Sequence, residues 1–221
     1  MIVLKSVDLA YSKDYNALMN IDLHVKAGES VGIIGAHESG KTALLRLIAG
    51  LEKQKKGEAF IKDTPIKKIN FARDVSLGYL TNRAVFFERK SVYKNLEWAL
   101  KVHKVNKKER QQRIQKVLAD FEISNLEKEK VSSLCESDKR LVQIARMALR
   151  PLEIILCDDV LSGEDTATQE KIKSALKKLF ALSPKDKIII MTSEDENICK
   201  EYVTRIIHMD SGCFVEKQDE E

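Results

Sequence analysis

One octapeptide limits what this chain can fold into. Gly35-Ala36-His37-Glu38-Ser39-Gly40-Lys41-Thr42 follows the strand-like run Ser30 to Ile34 and opens a helical stretch, Thr42 to Leu51. In that stretch Leu44, Leu45, Leu47 and Ile48 share one side, and Gly50 stands near its end. The pattern G-x-x-x-x-G-K-[ST], with a buried strand before it and a helix after it, describes a loop that wraps backbone N–H groups around phosphate oxygens. Unpaired amides and the helix dipole favour negative charge there. On this reading Gly35, Ala36, His37, Glu38, Ser39, Gly40, Lys41, Thr42 and Ala43 contact the nucleotide. Lys41 reaches the terminal phosphates, and the Thr42 hydroxyl completes a Mg²⁺ site. A chance glycine turn would match the spacing but not both flanking elements. Glu38 is tolerable in an anion-binding loop only if its carboxylate points outward, and His37 reads as loop filler.

The other half of a magnesium site needs a carboxylate ending a buried strand, because Mg²⁺ keeps several waters and takes few protein ligands. Ile154-Ile155-Leu156-Cys157 followed by Asp158-Asp159 provides it. Asp158 is expected to hold Mg²⁺ through water, on a strand neighbouring the one before the glycine loop. Two acids ending a strand could also be a plain loop cap; their pairing with the phosphate loop favours the nucleotide.

Around these motifs, Val3 to Leu9 and Ile21 to Val25 alternate apolar and polar positions as half-buried antiparallel strands do. Residues 57–62 give a further strand. From Val92 to Leu149 apolar residues recur at helical spacing with no Gly or Pro, which predicts an inserted helical lobe. Its last helix, 138–149, is stopped by Pro151. A helix over 163–180, a strand over 188–191 and a hairpin over 205–216 turning at Ser211-Gly212 follow. Strands alternating with helices argue for a parallel sheet with helices on its faces. The net charge of +4, set against 38 Lys and Arg and 34 Asp and Glu, names no polyanionic partner, and nucleic acid is not expected. Cysteines 135, 157, 199 and 213 form no C-x-x-C pair, which suits reduced thiols. No apolar run approaches the roughly 20 residues needed to span a bilayer, so a membrane role must come through a partner.

Taken together these segments resemble the ATP-binding-cassette (ABC) family over nearly the whole chain. Leu9-Ala10-Tyr11 and Ile21-Asp22-Leu23-His24-Val25-Lys26-Ala27-Gly28-Glu29 look like the family's opening strands. Leu47-Ile48-Ala49-Gly50-Leu51, Gly57-Glu58-Ala59-Phe60-Ile61, Ser91-Val92-Tyr93-Lys94-Asn95-Leu96 and Ile144-Ala145-Arg146 before Pro151 are similar to later landmarks. The resemblance implies an α/β fold: a P-loop NTPase (RecA-like) core with an N-terminal antiparallel β subdomain, 1–82 and 150–221, and an inserted helical lobe, 83–149. It implies ATP and Mg²⁺ as ligands, Tyr11 stacking on adenine, and Asn82 at the glutamine that touches Mg²⁺ and the transmembrane partner. It also implies a transmembrane permease, a second cassette in a homo- or heterodimer, and a cytoplasmic location on the inner membrane face. The chain looks most like stand-alone importer subunits, particularly those serving sugars, and its substrate stays open.

The departures bear on turnover. The segment LSGGQ, which caps ATP held by the opposite cassette, aligns with Leu134-Cys135-Glu136-Ser137-Asp138, where carboxylates replace an anion-binding surface. The glutamate that orients the attacking water aligns with Asp159; the shorter side chain withdraws the base by about one ångström, worth on the order of a hundredfold. The switch histidine aligns with Ser193, and losing one such transition-state contact typically costs about 3 kcal/mol. Binding is expected to be kept and hydrolysis weakened. Two alternatives stand beside this: an active ATPase in which Asp159 and Asn82 suffice, and a cassette acting without a permease. Phe86 and Phe87, among Arg83, Glu88 and Arg89, offer a docking face, with one ring expected in the packing.

Overall fold

The computed structural model describes residues 1–12, 15–81 and 83–216. In chain order the elements are β1 (Ile2–Ala10), β2 (Asn16–Val25), β3 (Ser30–Ile34), α1 (Lys41–Ile48), β4 (Lys56–Ile61), β5 (Thr64–Pro65) and β6 (Leu77–Leu80). Then come α2 (Val92–Val102), α3 (Lys107–Asp120), α4 (Glu136–Met147), β7 (Ile154–Asp158) and α5 (Thr166–Leu182). The chain closes with β8 (Ile188–Ser193), α6 (Glu196–Lys200), β9 (Arg205–Asp210) and β10 (Cys213–Val215). They divide into two compact units: Met1–Thr81 with Glu153–Ser162 and Lys185–Glu221, and Asn82–Leu152 with Gly163–Pro184.

The first unit carries both sheets. One is antiparallel, in the order β2-β1-β4-β5. The alternation in β1 changes phase: Ile2 and Leu4 are buried, then Val7 and Leu9, because the register slips between Leu4 and Val7 and Ser6 takes φ 44°. A bulge of this kind returns later side chains to the core without ending the strand. The other sheet runs β10-β9-β3-β8-β7-β6, parallel except for β10. The strand leading into the glycine loop and the strand ending in Asp158 are therefore not neighbours, contrary to the sequence expectation: β8 lies between them. Sequence distance gives no strand order, and a crossover can leave room for a later strand. The strand β6 also escaped the sequence reading, since four residues are too few to establish a period.

Helix α1 explains why the two sheets form one unit. Its Leu44, Leu45, Leu47 and Ile48 are fully buried in a core that takes side chains from both sheets, among them Leu4, Ile21, Ile61, Ile154, Leu156 and Ile190. Each such burial is worth about 2 kcal/mol. The glycine loop, tied to the start of α1, is thus held by the best-packed part of the unit.

The second unit is built from α2 to α5. Helical spacing over Val92 to Leu149 predicted α2 to α4, while the helix expected over 163–180, α5, joins this unit rather than the core expected over 1–82 and 150–221. Leu96, Leu100, Ile114, Leu118, Val131, Leu176 and Leu179 lie in its interior. Asn95, 1 % exposed, anchors the loop before α2. Its Oδ1 accepts from Phe87 N at 2.8 Å, and its Nδ2 donates to Phe87 O at 3.2 Å and Ser91 O at 3.0 Å. A buried amide that satisfies backbone groups at both ends of a loop strands them when removed. Asn95→Ala is expected to lower the unfolding free energy by about 2 kcal/mol, read from urea denaturation. A change under about 0.5 kcal/mol, the range of surface substitutions, would show that the amide is not the anchor.

Candidate functional site

The glycine loop is fixed at both ends by the backbone. Gly35 N donates to Ser193 O at 3.2 Å, and Gly212 N donates to Ser39 O at 2.9 Å. Only glycine fits at position 35, where a Cβ would lie 2.1 Å from Met209 O. Gly40 takes φ +106° at the N-cap of α1, and a Cβ there would meet Ala17 O at 2.7 Å. These constraints bring the loop close against β9 and β2 while the amides opening α1 remain at the helix N-terminus, where donors lack intrahelical partners. Ala36, His37 and Glu38 are exposed, Ser39 and Ala43 buried. Glu38 does point outward, and it does so at φ 63°, an unfavourable angle for a side chain with a Cβ.

Lys41 is 7 % exposed. Its Nζ donates to Gly35 O at 2.7 Å and Ala36 O at 2.6 Å, and lies 3.3 Å from Ser39 Oγ. The ammonium is folded onto the loop's own carbonyls. Burial draws its pKa below the ordinary lysine value, while the carboxylates of Glu194, Asp159 and Asp158 act in the opposite sense.

Asp158, 5 % exposed at the end of β7, is the centre of the polar arrangement. Its Oδ1 accepts from the Thr42 hydroxyl at 3.1 Å and the Thr192 hydroxyl at 3.1 Å; its Oδ2 accepts from the Tyr79 hydroxyl at 2.8 Å. Thr192 comes from β8, the strand inserted between β3 and β7. The glycine-loop threonine and the strand-end carboxylate thus meet in space, as their residue types demanded. A buried carboxylate beside a hydroxyl at the start of the phosphate loop is an all-oxygen donor set suited to Mg²⁺, with phosphates and water filling the remaining positions.

Asp159 is the next residue and takes φ 50°. Its N donates to Thr192 O and Oγ1. Burial, and then the Glu194 carboxylate, holds its pKa above the usual aspartate value. Ser193 is buried, and its Oγ accepts from Asp195 N at 3.1 Å, so this hydroxyl is engaged in starting α6. Tyr11 is half-exposed and stacks on Tyr15 with ring centroids 6.2 Å apart and planes 14° apart. Asn82 lies outside the described residues.

With this geometry in view, comparison with known proteins is decisive. The model of the ABC transporter family matches residues 18–162. This chain belongs to the ABC transporter family. It is 32 % identical over 229 residues to the methionine import ATP-binding protein MetN of Clostridioides difficile (strain 630), across 100 % of this chain and 69 % of that protein. The MetN of Clostridium acetobutylicum matches to the same extent. Among solved structures, the dimeric ATP-binding cassette MJ0796 bound to ADP and Pi superimposes with a TM-score of 0.83 at 27 % identity, covering 96 % of this chain and 95 % of that one. The P-loop NTPase fold with its antiparallel β subdomain is therefore that of an ABC cassette.

In the helical unit of this cassette, α4 begins where the LSGGQ-like segment was located. Cys135 is its N-cap but makes no side-chain cap hydrogen bond, and its exposed Sγ lies 3.1 Å from Ser137 Oγ. Glu136 and Asp138 occupy the first turn, where Glu136 pairs with Lys139 at 2.9 Å. Acidic side chains neutralise the positive end of the helix dipole. The aromatic pair divides as expected: Phe86 is half-buried with the Arg146 guanidinium 4.6 Å from its ring centre, while Phe87 is exposed and packs edge-on to exposed Trp98 at 5.2 Å. The sequence reading missed Tyr79 and Thr192 as parts of the site. Both are hydroxyl-bearing residues on strands, and only strand order places them beside Asp158.

Because Glu38 holds a left-handed conformation in full exposure, Glu38→Gly is expected to raise stability by roughly 0.5–1 kcal/mol, after allowing for glycine's entropy in the unfolded chain. Chemical denaturation checks this, and a destabilised variant would mean that the side chain makes a contact the loop needs.

Proposed function

We propose that this cassette is the ATP-binding subunit of a membrane importer, binding Mg-ATP at the glycine loop and turning it over slowly. The observation that carries the reading is the 3.1 Å contact of Thr42 with Asp158, beside a Lys41 ammonium poised on the loop carbonyls. Lys41 transfers its hydrogen bonds from Gly35 and Ala36 to the terminal phosphates. Thr42 and Asp158 hold the Mg²⁺, which supplies charge neutralisation on the phosphate oxygens. Tyr11 offers its ring to adenine. Import is favoured as the direction by the relatives named above.

Slow turnover is supported by three features. Asp159 offers a shorter arm than glutamate. Ser193 sets a short hydroxyl where the family has the longer imidazole, and its oxygen accepts from Asp195 N. The carboxylates of Glu136 and Asp138 stand at the α4 N-terminus, where a partner cassette's triphosphate would have to be capped. ATP then acts mainly as a ligand that favours the closed pair of cassettes, whether like or unlike, through differential affinity for open and closed states. The exposed rings of Phe87 and Trp98, with exposed Val85 two residues before Phe87, suit an apolar permease segment. Among the described residues no helix is long and apolar enough to cross a membrane, so attachment at the cytoplasmic face would come through that partner.

A second reading, a fully active ATPase, is favoured by Asp159 itself, because a carboxylate with a raised pKa is a better base. Two measurements on the purified chain separate the readings. Mg-ATP is expected to raise the melting temperature, and Lys41→Ala to weaken nucleotide affinity by about 30-fold, the loss of a charge-assisted contact worth about 2 kcal/mol. No thermal shift in the parent chain would contradict nucleotide binding. Asp159→Asn is expected to leave the residual hydrolysis rate unchanged, whereas its abolition would establish the active enzyme.

A further inference from the structure

The strand β6 contributes one polar side chain to the site, and nothing in the phosphate-loop pattern calls for it. In the parallel pairing of β6 with β7, Tyr79 stands opposite Leu156, two residues before Asp158. Side chains two apart on a strand share a face. Tyr79 therefore lies on the Asp158 side of the sheet, one step towards the strand's beginning, and a phenol is long enough to close that step. Its ring packs on the core that contains Leu156, and its hydroxyl reaches Asp158 Oδ2 at 2.8 Å. The other oxygen, Oδ1, is taken by Thr42 and Thr192.

We propose that Tyr79 is a positioning residue for the magnesium carboxylate: by occupying Oδ2 it fixes the Asp158 rotamer and directs Oδ1 towards Thr42 and the cation. This rests on the site being a Mg-nucleotide site. The division of the two oxygens is the observation behind it. A carboxylate free to rotate presents either oxygen and admits water between itself and the loop. One clamped by a donor from the flanking strand presents a single oxygen. Hydrogen-bonded partners of metal ligands commonly set metal affinity by 10- to 100-fold. Phenylalanine would preserve the packing of the ring, so apolar burial alone does not call for the hydroxyl.

Tyr79→Phe separates positioning from packing. The experiment measures ATP affinity of the purified chain by calorimetry across a Mg²⁺ titration, and again with the metal chelated. The Mg²⁺ concentration giving half of the metal-dependent gain in affinity is expected to rise about tenfold in the variant. Metal-free ATP affinity should stay within about twofold, while the melting temperature without nucleotide should fall by several degrees, because Asp158 Oδ2 loses its donor. An unchanged Mg²⁺ midpoint would overturn the proposal, as would an equal loss of affinity with and without metal, because a packing defect acts on both. If Tyr79→Phe does not fold, Tyr79→Met fills similar space without a hydroxyl and is read by the same criteria. The parent chain guards the underlying reading: if its ATP affinity does not respond to Mg²⁺ at all, the nucleotide site itself is wrongly assigned, whereas a normal parent response with an unshifted variant rejects Tyr79 alone.

Discussion

A buried carboxylate is a costly group in any fold, and the first unit surrounds one with hydroxyl donors. Removing a carboxylate from water costs several kcal/mol unless hydrogen bonds replace the lost hydration. Asp158 receives them from three hydroxyls borne by three different elements: Thr42 on α1, Thr192 on β8 and Tyr79 on β6. Each is carried there by apolar packing that has nothing to do with charge. α1 is seated by its leucines between the sheets, β8 is buried along its length, and β6 holds its place through its pairing with β7. Dislodging any of these elements would leave the acid short of a donor, so the site and the core stand or fall together.

The residues around this centre fall into two groups with opposite tendencies. Under the proposed reading, those for holding a nucleotide are in place: the glycine loop is tied to Ser193 O and Gly212 N, and Lys41 rests on the loop carbonyls. Those that the same reading assigns to chemistry carry other contacts. Asp159 occupies a left-handed turn with its carboxylate burdened by burial and by Glu194, while Ser193 helps to start α6. In the helical unit, Glu136 and Asp138 stand in the first turn of α4. Under the proposed reading this asymmetry suits a protein for which the bound state of ATP matters more than its cleavage.

The parts of this arrangement legible in the sequence were those governed by local rules. The glycine loop, the Ile154–Asp158 strand and the amphipathic helices α2, α3 and α4 each carry a period or a spacing within a few residues. The outward orientation of Glu38 followed from charge alone, and the split of Phe86 from Phe87 from packing statistics. What could not be read depended on strand order. The position of β8 between β3 and β7 is a property of crossovers, so Thr192 looked like an ordinary strand residue and the two motif-bearing strands looked adjacent. β6 was lost because four residues establish no alternation, and Tyr79 was lost with it. The side chains of Ser193 and Lys41 were identifiable by type, but their partners, Asp195 N and the loop carbonyls, are set by backbone geometry.

The central claim is that Lys41 and Asp158 act on one magnesium-triphosphate. Its most direct test is a crystal structure of this chain with Mg²⁺ and a non-hydrolysable ATP analogue. The account predicts that Lys41 Nζ leaves Gly35 O and Ala36 O for the terminal phosphate oxygens, and that the Thr42 hydroxyl and Asp158 flank the cation. A nucleotide bound elsewhere, or one bound in the loop while Lys41 stays on its carbonyls, would contradict it.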